Sequence, residues 1–267
     1  MADPSLAPFA DPARHLGASE IIRRRSTNST DVRHALLAGL DLAFARNILD
    51  LGCGFGFTAE AIARRAAPDA QIIGVDACPA NAPLYLERIA ATGRTARFAE
   101  QHIRKHLDWP NHAFDLVIAS YALYFFPEVL PEVARVLSPG GVLFAVTHTE
   151  NSCRDLLRAA GLPISDVHLL GHIRNFSAEN GQARLAPWFT QIERVDYRNQ
   201  LVFPPAAYDE FLTYLRFKLP LLLAESEPGG AVPLPLANAI RATLARQETI
   251  AFEKNDAAFR CRGPRCP

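Results

Sequence analysis

Ile48-Leu49-Asp50-Leu51-Gly52-Cys53-Gly54-Phe55-Gly56-Phe57 reads as a buried strand running into a turn with glycines at alternate positions, and a helical pattern follows from Thr58. Glycines so spaced let a backbone pass close to a ligand at a helix N-terminus, where a side chain would collide. Twenty positions after Gly56 a second apolar run, Ile72-Ile73-Gly74-Val75, ends in Asp76. An acid at that place accepts the hydroxyls of a ribose in doubly wound nucleotide-binding folds, so the chain reads as the holder of a nucleoside-containing cofactor. Spacing alone admits a dinucleotide, because G-x-G-x-x-G/A is partly met by Gly54, Gly56 and Ala59.

Outward from this stretch the pattern alternates. It predicts a helix from Thr30 to about Phe44, then strand 47–51, helix 58–66, strand 71–76, helix 81–92, strand 95–99, a short helix near 103–107, strand 114–120, helix 127–137 and strand 142–147. Strands separated by helices imply a parallel sheet covered on both faces. After Thr147 the periodicity predicts helices at about 153–160, 177–189, 205–223 and 236–247, one strand over 192–203, and a closing hairpin of 249–253 with 257–261. The domain reading is an N-terminal arm or cap over 1–29, a cofactor-binding core over 30–150, and sheet completion with a substrate lid over 151–267.

The bulk properties exclude several classes. Lys plus Arg equals Asp plus Glu at 28 each, so no global field favours nucleic acid or a membrane surface. Cys53, Cys78, Cys153, Cys261 and Cys266 contain no C-x-x-C pair, which argues for reduced thiols and a cytoplasmic setting. The Met1-Ala2-Asp3-Pro4 start lacks a signal-peptide pattern, and no apolar run has membrane-spanning length. His168 and His172 stand four apart without further ligands nearby, so no metal is expected.

From Asp50 the chain reads D-x-G-x-G-x-G, which resembles motif I of the class I S-adenosylmethionine-dependent methyltransferases. The resemblance continues in order through Phe114-Asp115-Leu116-Val117-Ile118-Ala119-Ser120, like that family's fourth strand, and Leu137-Ser138-Pro139-Gly140-Gly141, like its turn into the fifth. It implies a doubly wound, mainly parallel seven-stranded sheet with an antiparallel last strand and a C-terminal helical elaboration, of the type 11-like small-molecule group. It further implies S-adenosylmethionine as cofactor, with Asp50 toward the methionyl amine, Gly52, Gly54 and Gly56 at the close approach, and Asp76 on the ribose. A carboxylate suits an ammonium and repels a pyrophosphate. Where the family usually has an acid near the adenine, this chain has His102 and Ile103, and Ser120 ends the strand facing the cofactor. A nicotinamide-dependent oxidoreductase and a non-catalytic cofactor-binding scaffold are the other readings.

Absences narrow the acceptor. No N/D-P-P-Y/W and no Pro-Cys follows the fourth strand, so nucleic-acid bases are disfavoured and a small-molecule O, N, C or S nucleophile is expected. Tyr121 and Tyr124 after the fourth strand and His148 after the fifth are the candidate catalytic residues, His148 as general base. Tyr208, Phe211, Tyr214 and Phe217 recur on one helix and read either as acceptor pocket or as core. The pattern specifies no oligomeric state.

Overall fold

The structure, a computed structural model, describes residues 9, 11–162, 171–222, 232–246 and 248–265. The chain divides into two compact units. A sheet unit comprises Val32–Thr147, Asn175–Tyr197 and Asp256–Pro267; a helical unit comprises Met1–Asp31, His148–Arg174 and Arg198–Asn255.

In the sheet unit α2 (Val32–Leu37) precedes β1 (Asn47–Leu51), α3 (Phe57–Ala63), β2 (Gln71–Asp76), α4 (Ala82–Ala90), β3 (Thr95–Glu100), β4 (Phe114–Ser120), α5 (Leu130–Val136) and β5 (Leu137–His148). After α6 (Glu150–Ala159) of the helical unit, the chain returns through α7 (Gly181–Leu185) and β6 (Phe189–Tyr197), and β9 (Asp256–Pro264) closes it. The strand order is β3-β2-β1-β4-β5-β9-β6; the β1, β2, β3, β4 and β5 pairings are parallel and β6 with β9 antiparallel. β1 and β4, apart from Asp50 and Asp115, read as apolar runs because both faces are covered. Leu36, Ile48, Ile62, Ile72, Ile118 and Phe144 are all essentially inaccessible to solvent. The expected doubly wound sheet is therefore present.

Details differ at the ends. α2 stops at Leu37 because Gly39 takes a left-handed φ of 75°. β5 begins before the Pro-Gly-Gly turn: Leu137 pairs with Phe114, and the register shifts before Leu116 pairs with Val142, so this turn is a bulge inside a strand. No helix forms over 103–107, where Leu107 N donates to Glu132 Oε2 at 3.1 Å and Arg135 Nη2 donates to Leu107 O at 2.8 Å. Side chains of α5 satisfy that segment's backbone in place of a helical ladder.

In the helical unit α1 (Pro12–Arg25) is capped by Asp11, whose Oδ1 accepts from Ala13 N at 3.0 Å. It packs against α8 (Tyr208–Leu222) and β7 (Gln200–Phe203), with Arg25 forked onto Glu210 by two bonds of 2.8 Å. The segment read as an arm thus contains an anchored helix. α9 (Leu234–Ala245) and β8 (Ile250–Glu253) complete the unit.

The strand expected over 192–203 is two strands, and the expected terminal hairpin does not form. β8 pairs with β7 and β9 with β6, in separate sheets. The chain switches sheets at Arg198–Asn199 and Lys254–Asn255, where Asn199 N donates to Asn255 Oδ1 and Lys254 N to Asn199 O, both at 2.9 Å. Alternation continues across the switch, which is why periodicity alone reads it as one strand. His168 of the expected histidine pair lies outside the described residues.

Candidate functional site

The sheet order reverses direction between β1 and β4, and the carboxyl end of a parallel sheet at such a point is where ligands bind. Asp50 near the end of β1, Asp76 closing β2 and Ser120 closing β4 stand there. The turn after β1 folds back on β2: Gly52 N and Cys53 N both donate to Val75 O, at 2.8 and 3.1 Å. Gly54 N then donates to Asp76 Oδ2 at 2.8 Å, and Cys78 N donates to Oδ1 at 2.8 Å. Gly54 and Gly56 hold φ of 49° and 81°, left-handed values that a side chain disfavours, and Gly56 opens α3.

The glycines serve the protein as well as a ligand. A Cβ on Gly52 would lie 2.6 Å from that of Ala122, and one on Gly56 would lie 3.0 Å from the Tyr85 ring. Gly74 shows the same device, its missing Cβ leaving room for Tyr85 Cζ, which would otherwise be 2.5 Å away. The Tyr85 hydroxyl that passes over β2 in this way is buried and has no hydrogen-bond partner among the described residues. Sequence reading missed Tyr85, although a glycine inside an apolar strand is the signal of such a close approach.

Asp50 is 2% exposed. Burial, and then the charge of Asp76, push its carboxyl well above the usual carboxylate range. Burial also raises Asp76, opposed by the N–H groups of Cys78 and Gly54. Two carboxyls desolvated around one turn form a site that a cation stabilises and an anion does not. Asp76 also accepts side-chain hydrogen bonds from Asn81 and Cys78, so hydroxyl donors from a ligand would take the place of these protein donors.

Ser120 Oγ lies 2.7 Å from Thr58 Oγ1 and so ties β4 to the first turn of α3. His102 is exposed and Ile103 half-buried in the irregular segment after β3. Tyr121 holds φ at 55°, an uncommon backbone state for an aromatic residue of the kind that collects at functional sites. Its hydroxyl donates to the buried Asp256, and burial followed by that charge raises the phenol well above its ordinary range. Tyr124 is buried with its ring 4.7 Å from Phe125, and its carbonyl accepts from Asn175 Nδ2 at 3.1 Å.

The expected residues therefore fall into groups. Asp50, Gly52, Gly54, Gly56 and Asp76 meet around one turn, with Ser120, Tyr121 and Tyr124 following along neighbouring β4. His148 belongs to the helical unit, where its Nε2 lies 3.3 Å from Lys218 Nζ. Of the four rings on α8, Phe211, Tyr214 and Phe217 are buried, and Phe203, Phe211, Tyr214 and Phe252 form one aromatic cluster, which is core packing. Asp256 and Lys218 were invisible to sequence reading because each gains its partner from a distant segment.

A methyltransferase domain family matches residues 48–141. The chain is 33% identical over 126 residues to a trans-aconitate 2-methyltransferase of Paracidovorax citrulli, covering 46% of each chain. It is 30% identical over 197 residues to a trans-aconitate 2-methyltransferase of Variovorax paradoxus, covering 72% of this chain and 65% of that one. A protein of Bacillus halodurans, described with its structure as a candidate methyltransferase, superposes with a TM-score of 0.55 at 16% identity, over 88% of this chain and 99% of the other, a likeness of fold. The chain spans about half the length of the first of these curated relatives. No helix among the described residues is long and apolar enough to cross a membrane.

Proposed function

We propose that this chain, which matches a methyltransferase domain family over residues 48–141 and carries the sheet expected of the class I methyltransferases, moves a methyl group from S-adenosylmethionine to a small-molecule O, N, C or S nucleophile. The single observation that carries this reading is the pairing of buried Asp50 with half-buried Asp76 around the Gly52–Gly56 turn. The cofactor is a sulfonium with an ammonium on its methionyl arm and two ribose hydroxyls. Asp50 and Asp76 offer acceptors to a cation and a diol, and the same pair would repel the pyrophosphate of a dinucleotide. The bound cofactor supplies an electrophilic methyl carbon.

The residues of this chain bind, orient and exclude water. Asp76 takes the ribose, Asp50 the amine side, the left-handed Gly54 and Gly56 the close approach, and Ser120, His102 and Ile103 the adenine side. The names of the two relatives, which give a small organic acid as acceptor, support a small molecule in that role here. Tyr121, locked by Asp256, is the rigid positioning group next to the cofactor, because a strained backbone and a buried carboxylate together fix its ring. A cytoplasmic setting, a 151–267 portion that governs acceptor choice, and a base role for His148 belong to the same proposal. In-line methyl transfer needs chiefly alignment and a desolvated nucleophile, so a base adds a factor only when the acceptor must lose a proton.

Titration calorimetry with S-adenosylmethionine and, separately, NADPH tests it. The expected result is binding of the first alone, lost in a folded Gly54→Val protein; binding unchanged in that variant overturns the cofactor assignment.

A further inference from the structure

Tyr85 of α4 is fully buried, yet its hydroxyl has no hydrogen-bond partner among the described residues. Its ring runs across the sheet face from the glycine turn to β2. An added Cβ would meet Tyr85 Cδ2 at 3.0 Å on Gly56 and Tyr85 Cζ at 2.5 Å on Gly74, so the hydroxyl-bearing end of the ring stands over Gly74. Gly74 pairs in register with Asp50 on one side and with Phe98 on the other, and such partners in a parallel sheet share a face on strands about 4.8 Å apart. Phe98 meets the Tyr85 ring edge-on, with centroids 5.9 Å apart. The other flank is Asp50.

An unmet donor thus stands beside a buried acid. A buried hydroxyl without a partner is destabilising, whereas phenylalanine would fill the same space without that cost. The titratable groups that face Asp50 are Asp76 from β2, Cys53 from the turn and Tyr85 from α4. Cys53 Sγ would lie 2.8 Å from the Cβ that Gly74 lacks, and its thiol donates to Gly54 O at 3.7 Å. The cations around α3, Arg33, Arg64 and Arg88, pair with Glu60. Burial, and then the charge of Asp50, hold the Tyr85 phenol well above its ordinary range, so it stays a donor. Among the described residues, the Tyr85 O–H is the uncommitted donor on this side of Asp50.

We propose that Tyr85 is a positioning residue of the cofactor site, whose hydroxyl donates to the ionised Asp50 carboxylate and fixes it toward a ligand ammonium. This rests on the methyl-transfer reading, which brings the methionyl ammonium to Asp50. While Asp50 keeps its proton, the phenol has no charge to meet. Arrival of the ammonium sends that proton to solvent, and the carboxylate then receives the ammonium on one oxygen and the Tyr85 O–H on the other. A hydrogen bond to a charged group is stronger than one to a neutral group, so the donor left unmet in the fold contributes to ligand affinity.

Calorimetry on the full chain with S-adenosylmethionine, across pH and in buffers of different ionisation enthalpy, compares the unaltered protein with Tyr85→Phe, which keeps the ring over Gly74 and removes only the donor. Tyr85→Phe is expected to bind at least about tenfold more weakly on the acid side of the Asp50 transition, and that transition should move up by about one pH unit, the equivalent of tenfold. Its resistance to thermal unfolding without ligand should be equal or higher, because the lost donor had no partner. In an Asp50→Asn background the same substitution should change affinity by less than about twofold, since the charge it serves is gone. Unaltered affinity with an unmoved transition, an equal loss in the Asp50→Asn background, or a Tyr85→Phe protein that unfolds more easily overturns the proposal. Where Asp50→Asn binds too weakly to measure, the displacement of the transition in Tyr85→Phe decides. Binding by the unaltered protein with no such displacement defeats this inference alone, whereas no binding by the unaltered protein defeats the proposed function as well.

Discussion

The two units bury charge of opposite sign. The sheet unit places Asp50, Asp76 and Asp256 in or near its interior and leaves the Tyr85 hydroxyl without a hydrogen-bond partner among the described residues, whereas the helical unit buries Lys218, Lys254 and His148. Arg260, buried in the sheet unit, is the exception that explains itself, since its guanidinium is spent on the carbonyls of Leu36 and Ala38 and on Glu193. Desolvated charge is unfavourable unless something of opposite sign meets it. Around the glycine turn, a pair of acids suits a cationic ligand. The contrast teaches that ligand chemistry can be read separately for each unit.

The largest effect that could break this contrast is at Gly52. Valine there would combine a left-handed backbone with a Cβ 2.6 Å from Ala122, so Gly52→Val should destabilise the sheet unit by about 3 kcal/mol or more, read by chemical denaturation. A loss below 1 kcal/mol would mean the turn is plastic and the glycine pattern speaks only of a ligand. Next is Asp76→Ala, which should weaken S-adenosylmethionine binding by about 1 to 3 kcal/mol, roughly tenfold to a hundredfold, and leave the stability of the helical unit untouched. Unchanged S-adenosylmethionine affinity in the folded variant would remove Asp76 from the cofactor site.

His148→Ala sharpens the comparison from the other side. Once an acceptor is in hand, its rate should fall by about tenfold or more with cofactor affinity intact. A flat pH–rate profile from pH 6 to 9 in both proteins would remove the base role and leave His148 as the partner of Lys218. That outcome is physically coherent, since a lone pair already receiving an ammonium N–H is poorly placed to take a proton.

Protonation gives a smaller signal with a definite sign. The folded-state pKa of Asp50 is raised, so the stability linked to this group is fully present below the ordinary carboxylate range and is lost as pH rises through the raised value. A cation bound beside it favours the ionised form. Binding of S-adenosylmethionine should therefore tighten with pH through that value and release a proton below it, which appears as a dependence of the calorimetric heat on buffer ionisation enthalpy. Asp50→Asn should abolish the dependence.

The smallest effect is at Gly17 within α1, where an added Cβ meets nothing within 4 Å. Gly17→Ala should stabilise by about 0.5 to 1 kcal/mol through helix propensity and unfolded-state entropy, seen as a modest rise in Tm. A destabilisation would show that α1 is held less firmly than its Asp11 cap and the Arg25–Glu210 fork imply.

By itself the sequence determined the sheet and its cofactor turn. β1, β2 and β4 fall at the residues their apolar runs mark, because parallel strands buried on both faces are mainly apolar and their bounds are set by local turn chemistry. Asp50, the three glycines and Asp76 were legible for the same reason, since their spacing is local and each residue type has one physical task. Only the tertiary structure decided the rest. The break between Tyr197 and Gln200, the sheet switch at Lys254–Asn255, the Tyr121–Asp256 bond and the Lys218–His148 contact all join segments far apart in the chain. Alternation of period two is blind to which sheet a strand joins, and a lysine on a helix reads as solvated until the fold removes the water around it.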